Sequence, residues 1–261
     1  MEKLNGKWAL VTGASSGFGM DFAGALAERG ANLVLVARRR EPMEALAARL
    51  RSDHGVKVEV IGMDLARPGV GLELKQLLSE RDIAVDVLIN NAGYGVYGDF
   101  VEQALDRTLD MLQLNMLSLT ELTHAFAADM VSRGSGHILL VASLGGYQAT
   151  PTYAAYAASK AYVLLFGEAL NTELAPKGVK VSVLSPGITA TQFLAVSGQR
   201  PTLYQRLVMM RPRPVVNTGL AALFKGKASV IPGLANKLTA FSNRLAPRSL
   251  QSKVALQLMK N

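Results

Sequence analysis

The amino-acid sequence predicts a single α/β domain in which a doubly wound parallel sheet is flanked by helices. Short β-branched or leucine-rich runs alternate with helical patterns along the chain, which is typical of a parallel sheet wrapped by helices. Several runs, such as residues 33–37, are continuously apolar, as expected for strands that are buried on both faces. The chain of 261 residues is long enough to bury the core of one large domain.

Six strands are predicted in the first 190 residues, with helices between them, at residues 7–12, 31–37, 56–61, 85–89, 136–142 and 179–184. No internal repeat, low-complexity segment or linker interrupts this part, so residues 1–190 are expected to form the core of the domain. Residues 191–227 follow as a further segment of the same domain. Residues 228–261 contain the predicted last strand, at 228–231, and a C-terminal tail.

Composition excludes several classes of function. The sequence has no cysteine, which rules out disulfides and thiolate metal sites, and no metal site is predicted. No apolar stretch approaches the ~18 residues of a membrane span. The first seven residues lead directly into a strand, without the apolar region or cleavage site of a signal peptide. We therefore expect a cytoplasmic protein.

The net charge of +8 is unevenly distributed. All 20 acidic residues lie in residues 1–173, together with 15 Lys and Arg, whereas residues 174–261 hold 13 Lys and Arg and no acid. This asymmetry indicates an anionic partner, which would be an acidic group on a substrate, a phospholipid surface or a nucleic acid. The alternative interpretation is a basic face that is merely solvated.

The first strand leads through a glycine-rich turn into a helix. Glycines in such a turn let the backbone approach a pyrophosphate, and the N-terminus of the following helix attracts the anion. The order strand, turn, helix predicts a dinucleotide-binding cradle of the Rossmann-like type. Its predicted contacts are Gly13, Ser15, Ser16, Gly17, Phe18 and Gly19.

The end of the second strand indicates which dinucleotide is bound. Folds that prefer NAD usually place an acid at this position, whereas here Ala37 is followed by Arg38. A guanidinium group suits a ribose 2′-phosphate, so the sequence predicts NADP(H). Arg39 and Arg40 also follow, and the alternative for these two is a solvated start of the next helix.

The carboxyl ends of further strands supply more candidates, since ligands bind at this edge of open α/β sheets. The predicted cofactor contacts there are Asp64 and Leu65 after strand three and Asn91, Ala92 and Gly93 after strand four. Ser143 follows strand five. Asn115 is a polar residue within the apolar stretch of a helix predicted over residues 102–131, and by default it is a satisfied buried amide.

Tyr156 and Lys160 are four residues apart in a helix-prone run, so they share a helix face. An adjacent ammonium favours the phenolate, and we expect Lys160 to lower the pKa of Tyr156 toward neutrality. A phenol with such a pKa is a suitable general acid or base. No histidine is placed to serve a Ser/His/Asp hydrolase.

Taken in order, these motifs resemble the short-chain dehydrogenase/reductase family over roughly residues 5–190. The resemblance rests on Thr12-Gly13-x-x-x-Gly17-x-Gly19, Asn90-Asn91-Ala92-Gly93, Asn115, Ser143, Tyr156-x-x-x-Lys160 and Pro186-Gly187. It implies that Tyr156 is the proton donor or acceptor and that Ser143 hydrogen-bonds the substrate oxygen. Lys160 would hold the nicotinamide ribose, and Asn115 would support a water in a proton relay. Pro186, Gly187 and Thr189 would contact the cofactor.

The sequence thus predicts an oxidoreductase that transfers hydride between NADP(H) and a carbonyl/alcohol pair, in the reductive direction. A second interpretation is a redox sensor that binds NADP(H) without turnover, although a sensor need not keep Asn115, Ser143, Tyr156 and Lys160 together. A nucleotide-sugar epimerase is disfavoured by the short chain and the glycine spacing. Nucleic-acid binding has only the basic charge in its favour, and we do not expect it.

The substrate is expected to be an apolar ketone or aldehyde, such as a fatty acyl, steroid or terpenoid compound. Residues 191–227 fall where the family keeps its substrate lid, and their apolar runs 193–196 and 204–210 favour such a pocket, as do Tyr94, Tyr97 and Tyr147 on loops at the same sheet edge. The alternative is that these residues close the core and a subunit interface. A homodimer or homotetramer is expected.

Two apolar stripes are predicted in the tail, the first formed by Leu234, Leu238, Phe241 and Leu245 and the second by Leu250, Val254 and Leu258. The basic residues that accompany them are Lys237, Arg244, Arg248, Lys253 and Lys260. Basic amphipathic helices bind membrane interfaces or anionic carriers, and they also pack on their own domain or a second subunit. Our hypothesis for the tail is peripheral membrane association or contact with a substrate linked to CoA or a carrier protein.

Overall fold

The computed structural model describes residues 2–259, and its centre is a parallel sheet of seven strands in the order β3-β2-β1-β4-β5-β6-β7. The strands are β1 Trp8–Thr12, β2 Asn32–Ala37, β3 Val58–Gly62, β4 Val85–Asn90, β5 Gly136–Val141, β6 Val179–Leu184 and β7 Ser229–Val230. The order reverses between β1 and β4, which creates a crevice at the carboxyl ends of these two strands. The predicted fold class is confirmed.

Helices cover both faces of the sheet. They are α1 Gly17–Ala27, α2 Arg40–His54, α3 Val70–Ser79, α4 Leu105–Leu112, α5 Leu119–Ser132, α6 Ala154–Leu174, α7 Phe193–Ser197, α8 Leu203–Val208, α9 Pro212–Phe224, α10 Leu234–Ser242 and α11 Arg248–Met259. One core cluster joins the sheet to α1, α2 and α9 through residues such as Phe22, Met43 and Val215. A second cluster joins the other face to α3, α5 and α6.

The helix predicted over residues 102–131 is interrupted. A short 3₁₀ turn, Phe100–Glu102, precedes α4, and a π-helical segment, Gln113–Ser118, joins α4 to α5. Such segments are rare and occur mostly at functional sites. Asn115 lies within it and is fully buried.

The segment predicted as a lid, residues 191–227, divides into two structural parts. Helices α7 and α8 lie beside the sheet edge where the predicted site residues meet. Helix α9 instead packs against α1 and β6, with Val215, Val216 and Leu220 fully buried. It therefore belongs to the core, which differs from the expectation for this segment.

The tail begins with the predicted last strand, which is shorter than expected, since β7 is the two-residue edge strand beside β6. Helices α10 and α11 follow. Within residues 2–259 no helix has the length and apolar character needed to cross a membrane. Lys260, one of the basic residues of the predicted tail, lies outside the described part of the chain.

Candidate active site

A cavity of about 540 Å³ opens at the carboxyl ends of the strands and extends from the glycine-rich turn to the C-terminal helices. It brings together almost all of the site residues predicted from the sequence. Those that line it are Gly13, Ser15, Ser16, Gly17, Phe18, Arg38, Asp64, Leu65, Asn91, Ala92, Gly93, Ser143, Tyr156, Lys160, Pro186, Gly187 and Thr189. Gly19 and Asn115 support this lining from behind, as described below.

The glycine-rich turn needs glycine at three positions, for its backbone angles or for close packing. Gly13 and Gly17 have φ angles of +68° and +53°, which glycine adopts at little cost. A Cβ on Gly19 would lie 2.2 Å from the carbonyl oxygen of Gly13, because α1 packs directly on the turn. Helix α1 begins at Gly17 and points its N-terminus at the cavity, so the cradle fits the pyrophosphate of a dinucleotide.

Thr12, at the end of β1, forms hydrogen bonds to the loop after β4. Its hydroxyl accepts hydrogen bonds from the backbone N–H groups of Asn91 and Ala92, both at 2.9 Å. The side-chain amide of Asn91 in turn donates to the carbonyl oxygen of Thr12 at 2.8 Å. These bonds fix the loop after β4 across the floor of the cavity.

Two arginines line the cavity at the end of β2. Arg38, the predicted contact of the 2′-phosphate, is exposed there, and the guanidinium of Arg39 donates to the hydroxyl of Ser15 at 3.4 Å. The sequence left Arg39 open between a cofactor contact and a solvated helix start, and the structure places it at the cavity. Arg40, in contrast, pairs with Glu44 at 3.0 Å on the surface of α2.

The predicted catalytic pair lies at the other end of the cavity. The Nζ atom of Lys160 lies 5.8 Å from the centroid of the Tyr156 ring and donates to the carbonyl oxygen of Val141 at 2.8 Å. The hydroxyl of Ser143 accepts from the backbone N–H of Gly145 at 3.1 Å, which sets its position at the end of β5. Tyrosine, lysine and serine therefore converge on one region of the cavity.

The pKa of Tyr156 differs in direction from the expectation that Lys160 lowers it. Burial raises the pKa of the phenol above the ordinary value, and the neighbouring Ser143 hydroxyl offsets only part of this rise. Burial also lowers the pKa of the Lys160 ammonium to about 8, because the charged form is desolvated. Desolvation is thus the largest cause of both pKa changes.

Asn115 holds the catalytic helix to the loop after β4. Its amide nitrogen donates to the carbonyl oxygen of Tyr94 at 3.0 Å and to the hydroxyl of Ser159 at 3.1 Å. Its amide oxygen accepts from the N–H of Tyr94 at 3.2 Å. A Cβ on Gly93 would lie 2.7 Å from this oxygen and 3.4 Å from Nζ of Lys160, so the glycine keeps the space between these two groups open.

An aromatic cluster forms the wall beside Tyr156. Tyr153 contacts the rings of Tyr97, Tyr156 and Phe193, at centroid distances of 5.3, 5.7 and 6.3 Å. Of the loop tyrosines that the sequence placed at this edge, Tyr94 lines the cavity, whereas Tyr147 packs against the core cluster that contains α6. From the two apolar runs noted in the sequence, Phe193, Leu194, Val196 and Tyr204 also line the cavity.

A buried polar network joins this wall to the C-terminal helix, and the sequence did not reveal it. The hydroxyl of Tyr153 bonds to Ser197 at 2.7 Å and donates to the amide oxygen of Gln199 at 3.0 Å. The amide nitrogen of Gln199 donates to the carbonyl oxygen of Met259 at 2.7 Å, and Gln205 donates to Gln199 at 3.0 Å. Burial raises the pKa of Tyr153 to about 12, so its hydroxyl stays protonated.

The tail completes the substrate end of the cavity. Asn236 and Thr239 of α10 line it, together with Ala255, Leu258 and Met259 of α11. A Cβ on Gly187 would lie 2.5 Å from the side chain of Asn236, so α10 packs closely on the segment after β6. The tail thus packs on its own domain, which was one of the alternatives from the sequence, while the stripe of α10 remains exposed.

Comparison with known proteins gives consistent matches along the chain. Residues 7–201 match the family model described as short chain dehydrogenase. A very-long-chain 3-oxoacyl-CoA reductase of Phaeosphaeria nodorum is 36% identical over 192 residues, 71% of this chain and 56% of the relative. An inactive hydroxysteroid dehydrogenase-like protein 1 of Homo sapiens is 32% identical over 198 residues, 75% of this chain and 59% of that protein.

A solved structure is also similar over nearly the whole chain. It is a short-chain dehydrogenase from Sphingobium yanoikuyae in complex with NADPH, with a TM-score of 0.82 and 36% sequence identity. The match covers 92% of this chain and 93% of that one. The two curated relatives are longer, and the matched part of this chain spans less than two thirds of each.

Proposed function

The chain belongs to the short-chain dehydrogenase/reductase family, and we propose that it is an NADPH-dependent oxidoreductase that reduces an apolar ketone or aldehyde to the alcohol. The observation that carries this proposal is the convergence of Ser143, Tyr156 and Lys160 at one end of a cavity whose other end is a dinucleotide cradle. The family binds a nicotinamide cofactor. We propose NADPH as that cofactor, the reductive direction and the apolar substrate.

The fit of a dinucleotide rests on the glycine-rich turn, where Gly13 and Gly19 let the backbone pack too closely for a Cβ and the N-terminus of α1 lies at the cavity. When bound, the nicotinamide supplies the hydride that reaches the carbonyl carbon. Tyr156 would then give its proton to the carbonyl oxygen, and its raised pKa keeps that proton in place at neutral pH. Ser143 would donate a hydrogen bond to the same oxygen as it gains negative charge.

Lys160 would hold the ribose next to the nicotinamide through the ammonium N–H groups that Val141 does not use. Its pKa of about 8 leaves it mostly charged at pH 7 and able to exchange a proton near neutrality. We propose that a water in the space beside Gly93 connects Lys160 to solvent, with Asn115 holding that space in shape. Tyr156 would be reprotonated by this route after each turnover.

The preference for NADPH is proposed from Arg38 and Arg39 at the end of β2, where a 2′-phosphate would bind. The NADPH complex of the Sphingobium relative is consistent with it. The test is a titration with NADPH and NADH. We expect NADPH to bind at least tenfold more tightly, and Arg38→Ala to remove most of this difference. Tighter binding of NADH would contradict the proposal.

The substrate class is proposed from the wall formed by Tyr153, Phe193, Leu194, Val196 and Leu258. The names of the relatives, an acyl-CoA reductase and a hydroxysteroid dehydrogenase-like protein, also refer to large apolar substrates. We also propose that the protein is a homodimer or homotetramer. It would lie in the cytoplasm, in peripheral contact with a membrane. No nucleic-acid role is proposed.

The decisive experiment follows NADPH oxidation across aldehydes, ketosteroids, 3-oxoacyl thioesters and small ketones. We expect turnover with at least one apolar class, a loss of roughly 1,000-fold or more in Tyr156→Phe, and unchanged NADPH binding in that variant. Tyr162→Phe is the matched control, because Tyr162 lies in the same helix and its hydroxyl bonds to Thr120 at 2.7 Å instead. Full turnover by Tyr156→Phe would refute the mechanism.

A second candidate function is a redox sensor that binds NADP(H) without turnover. It is favoured by one observation, the relative of Homo sapiens that is named inactive. Under this alternative, NADPH binds with the affinity set by the arginines while every carbonyl in the panel remains unreduced. The same panel therefore separates the two functions.

A further inference from the structure

Helix α10 carries an apolar stripe that faces solvent. Leu234, Leu238 and Phe241 are 73%, 60% and 57% exposed, and Leu245, in the turn after the helix, is 75% exposed. The three within the helix occupy positions i, i+4 and i+7, which place them on one side of it, and Leu245 follows in the turn. A surface helix of a globular protein normally turns such a stripe toward the core.

The opposite side of the same helix is the one that contacts the protein. Asn236 and Thr239 line the substrate end of the cavity, and Ala240 is buried. The amide nitrogen of Asn236 donates to the carbonyl oxygen of Pro232 at 2.8 Å, which fixes the start of the helix. Helix α10 therefore separates the cavity on one side from an apolar surface on the other.

Further exposed apolar side chains lie on the neighbouring helices of the cavity wall. Leu203 and Leu207 of α8 are exposed, while Tyr204 and Gln205 of the same helix line the cavity. Leu250 and Val254 of α11 are exposed as well, while Ala255, Leu258 and Met259 line the cavity. Each of the helices α8, α10 and α11 thus carries exposed apolar side chains as well as residues that line the cavity.

The positive charge of these helices favours an anionic lipid layer over a second copy of the chain as the partner of this surface. Lys237 and Arg244 accompany the stripe of α10, Arg248 and Lys253 lie on α11, and residues 174–261 contain no acid. Two copies of the chain that met through this surface would bring like charges together. A layer of anionic lipid would pair with the basic side chains while it covers the leucines.

We infer that the face of α10 formed by Leu234, Leu238, Phe241 and Leu245, with Lys237 and Arg244, docks on an anionic phospholipid membrane. This inference rests on the membrane contact in the proposed function and names the surface that makes it, but it is independent of the reaction, since docking requires no turnover. It also explains how an apolar substrate reaches the cavity, because the helices that wall the cavity would lie in the lipid interface. The substrate would then pass from the bilayer into the cavity without crossing water.

The test is flotation of the full chain with two kinds of vesicle. One is made of phosphatidylcholine alone, and the other also contains ~30 mol% phosphatidylserine, an anionic lipid that attracts basic segments. We expect flotation with the anionic vesicles and loss of it in salt. The variant Leu238→Glu/Phe241→Glu should bind them roughly 100-fold more weakly or worse. Lys237→Gln/Arg244→Gln should bind roughly 30-fold more weakly, at about fivefold for each basic side chain.

The matched control is Leu72→Glu, because Leu72 on α3 is 72% exposed, similar to the leucines of α10, and belongs to a different part of the surface. It should float like the parent protein. Thermal melting and NADPH binding of each variant verify that it folds, and they keep this test separate from any failure of the proposed reaction. Leu72→Glu tests whether an added charge on any exposed leucine is enough to prevent binding.

Three results would overturn the inference. The first is that Leu238→Glu/Phe241→Glu floats as well as the parent. The second is that no form of the protein binds anionic vesicles and the same variant converts a dimer into a monomer, which would assign the α10 face to a second copy of the chain. Binding that is equal on neutral and anionic vesicles would also count against it, since the charge argument would fail.

Discussion

Replacement of Lys160 by methionine should change the pH dependence of stability in a defined direction. Lys160 is 4% exposed, and burial lowers its pKa from 10.5 to about 8. The unfolded chain therefore binds one more proton than the folded protein between about pH 8 and pH 10.5. In this window the folded wild type gains stability as the pH rises, because the cost of the buried charge disappears.

The magnitude follows from the size of the pKa change. A fall from 10.5 to about 8 corresponds to about 3 kcal/mol of unfolding free energy, at about 1.4 kcal/mol for each pH unit. This cost is fully present below pH 8 and absent above pH 10.5. Methionine has no such cost, but it leaves the carbonyl oxygen of Val141 without its donor, a penalty of roughly 1–3 kcal/mol at every pH.

The assay is urea unfolding of the wild type and Lys160→Met at several pH values from 7 to 10.5, the range over which Lys160 loses its charge. The two proteins should be of similar stability at pH 7, since the penalties nearly cancel. The wild type should gain about 3 kcal/mol on the variant by pH 10.5. The difference between the two curves isolates Lys160, because all other groups titrate in both proteins.

Lys180→Met is the matched control. The ammonium of Lys180 also donates to a backbone carbonyl, that of Phe224 at 2.9 Å, but it is exposed to solvent. Its removal should shift the whole curve without changing the slope. A difference between wild type and Lys160→Met that stays constant from pH 7 to 10.5, or that changes in the opposite direction, would refute the argument from burial.

Three further predictions address the cradle, the lid and the start of the catalytic helix. Gly19→Ala should abolish NADPH binding and destabilise the fold by roughly 1–3 kcal/mol, because its Cβ would overlap a backbone carbonyl. The control Gly24→Ala, in the same helix, should cost under about 1 kcal/mol. Equal effects of the two variants on melting temperature and NADPH binding would contradict the packing argument. Gln199→Leu should cost about 1–3 kcal/mol and accelerate amide hydrogen exchange in α11 but not in the core strands, since the Met259 carbonyl loses the closer of two donors and keeps the hydroxyl of Tyr97 at 3.3 Å; unchanged exchange in α11 would show that the bond from Gln199 does not hold the helix. Thr152→Gly should raise the unfolding free energy by about 1 kcal/mol, because Thr152 has a φ of +66° that a β-branched residue adopts at a cost. A lower melting temperature of the variant than of the wild type would argue against backbone strain at this position.

The parallel sheet and the cradle were predictable because their signals are local in the sequence. Continuous apolar runs identify strands buried on both faces, and the glycines of the first turn lie within seven residues of each other. The carboxyl ends of the strands must meet at one edge, so Asn91, Ser143 and Gly187 could be placed together without coordinates. The fold class and the family are confirmed, while the roles of the individual residues remain predictions to be tested.

The polar network at the substrate end was not predictable in the same way. Gln199 contacts Tyr153 and Met259, which are 46 and 60 residues away in the sequence, and no local pattern distinguishes it from a surface glutamine. Its signal is burial, which requires the coordinates. The direction of the Tyr156 pKa was missed for a related reason, since a spacing of four residues gives proximity to Lys160 but not the desolvation of both groups.

Helix α10 shows that an apolar stripe predicts helix formation more reliably than it predicts whether the stripe is buried or exposed. The spacing of Leu234, Leu238 and Phe241 is correctly helical, yet each is more than half exposed. Burial of one such side chain stabilises a fold by roughly 1.5–3 kcal/mol, so an outward stripe forgoes several kcal/mol. The inward side carries Asn236 and Thr239, which line the cavity. Our proposal that α10 docks on an anionic membrane follows from this arrangement, because an outward apolar stripe suits an apolar medium and the acid-free sequence around it suits a negatively charged surface.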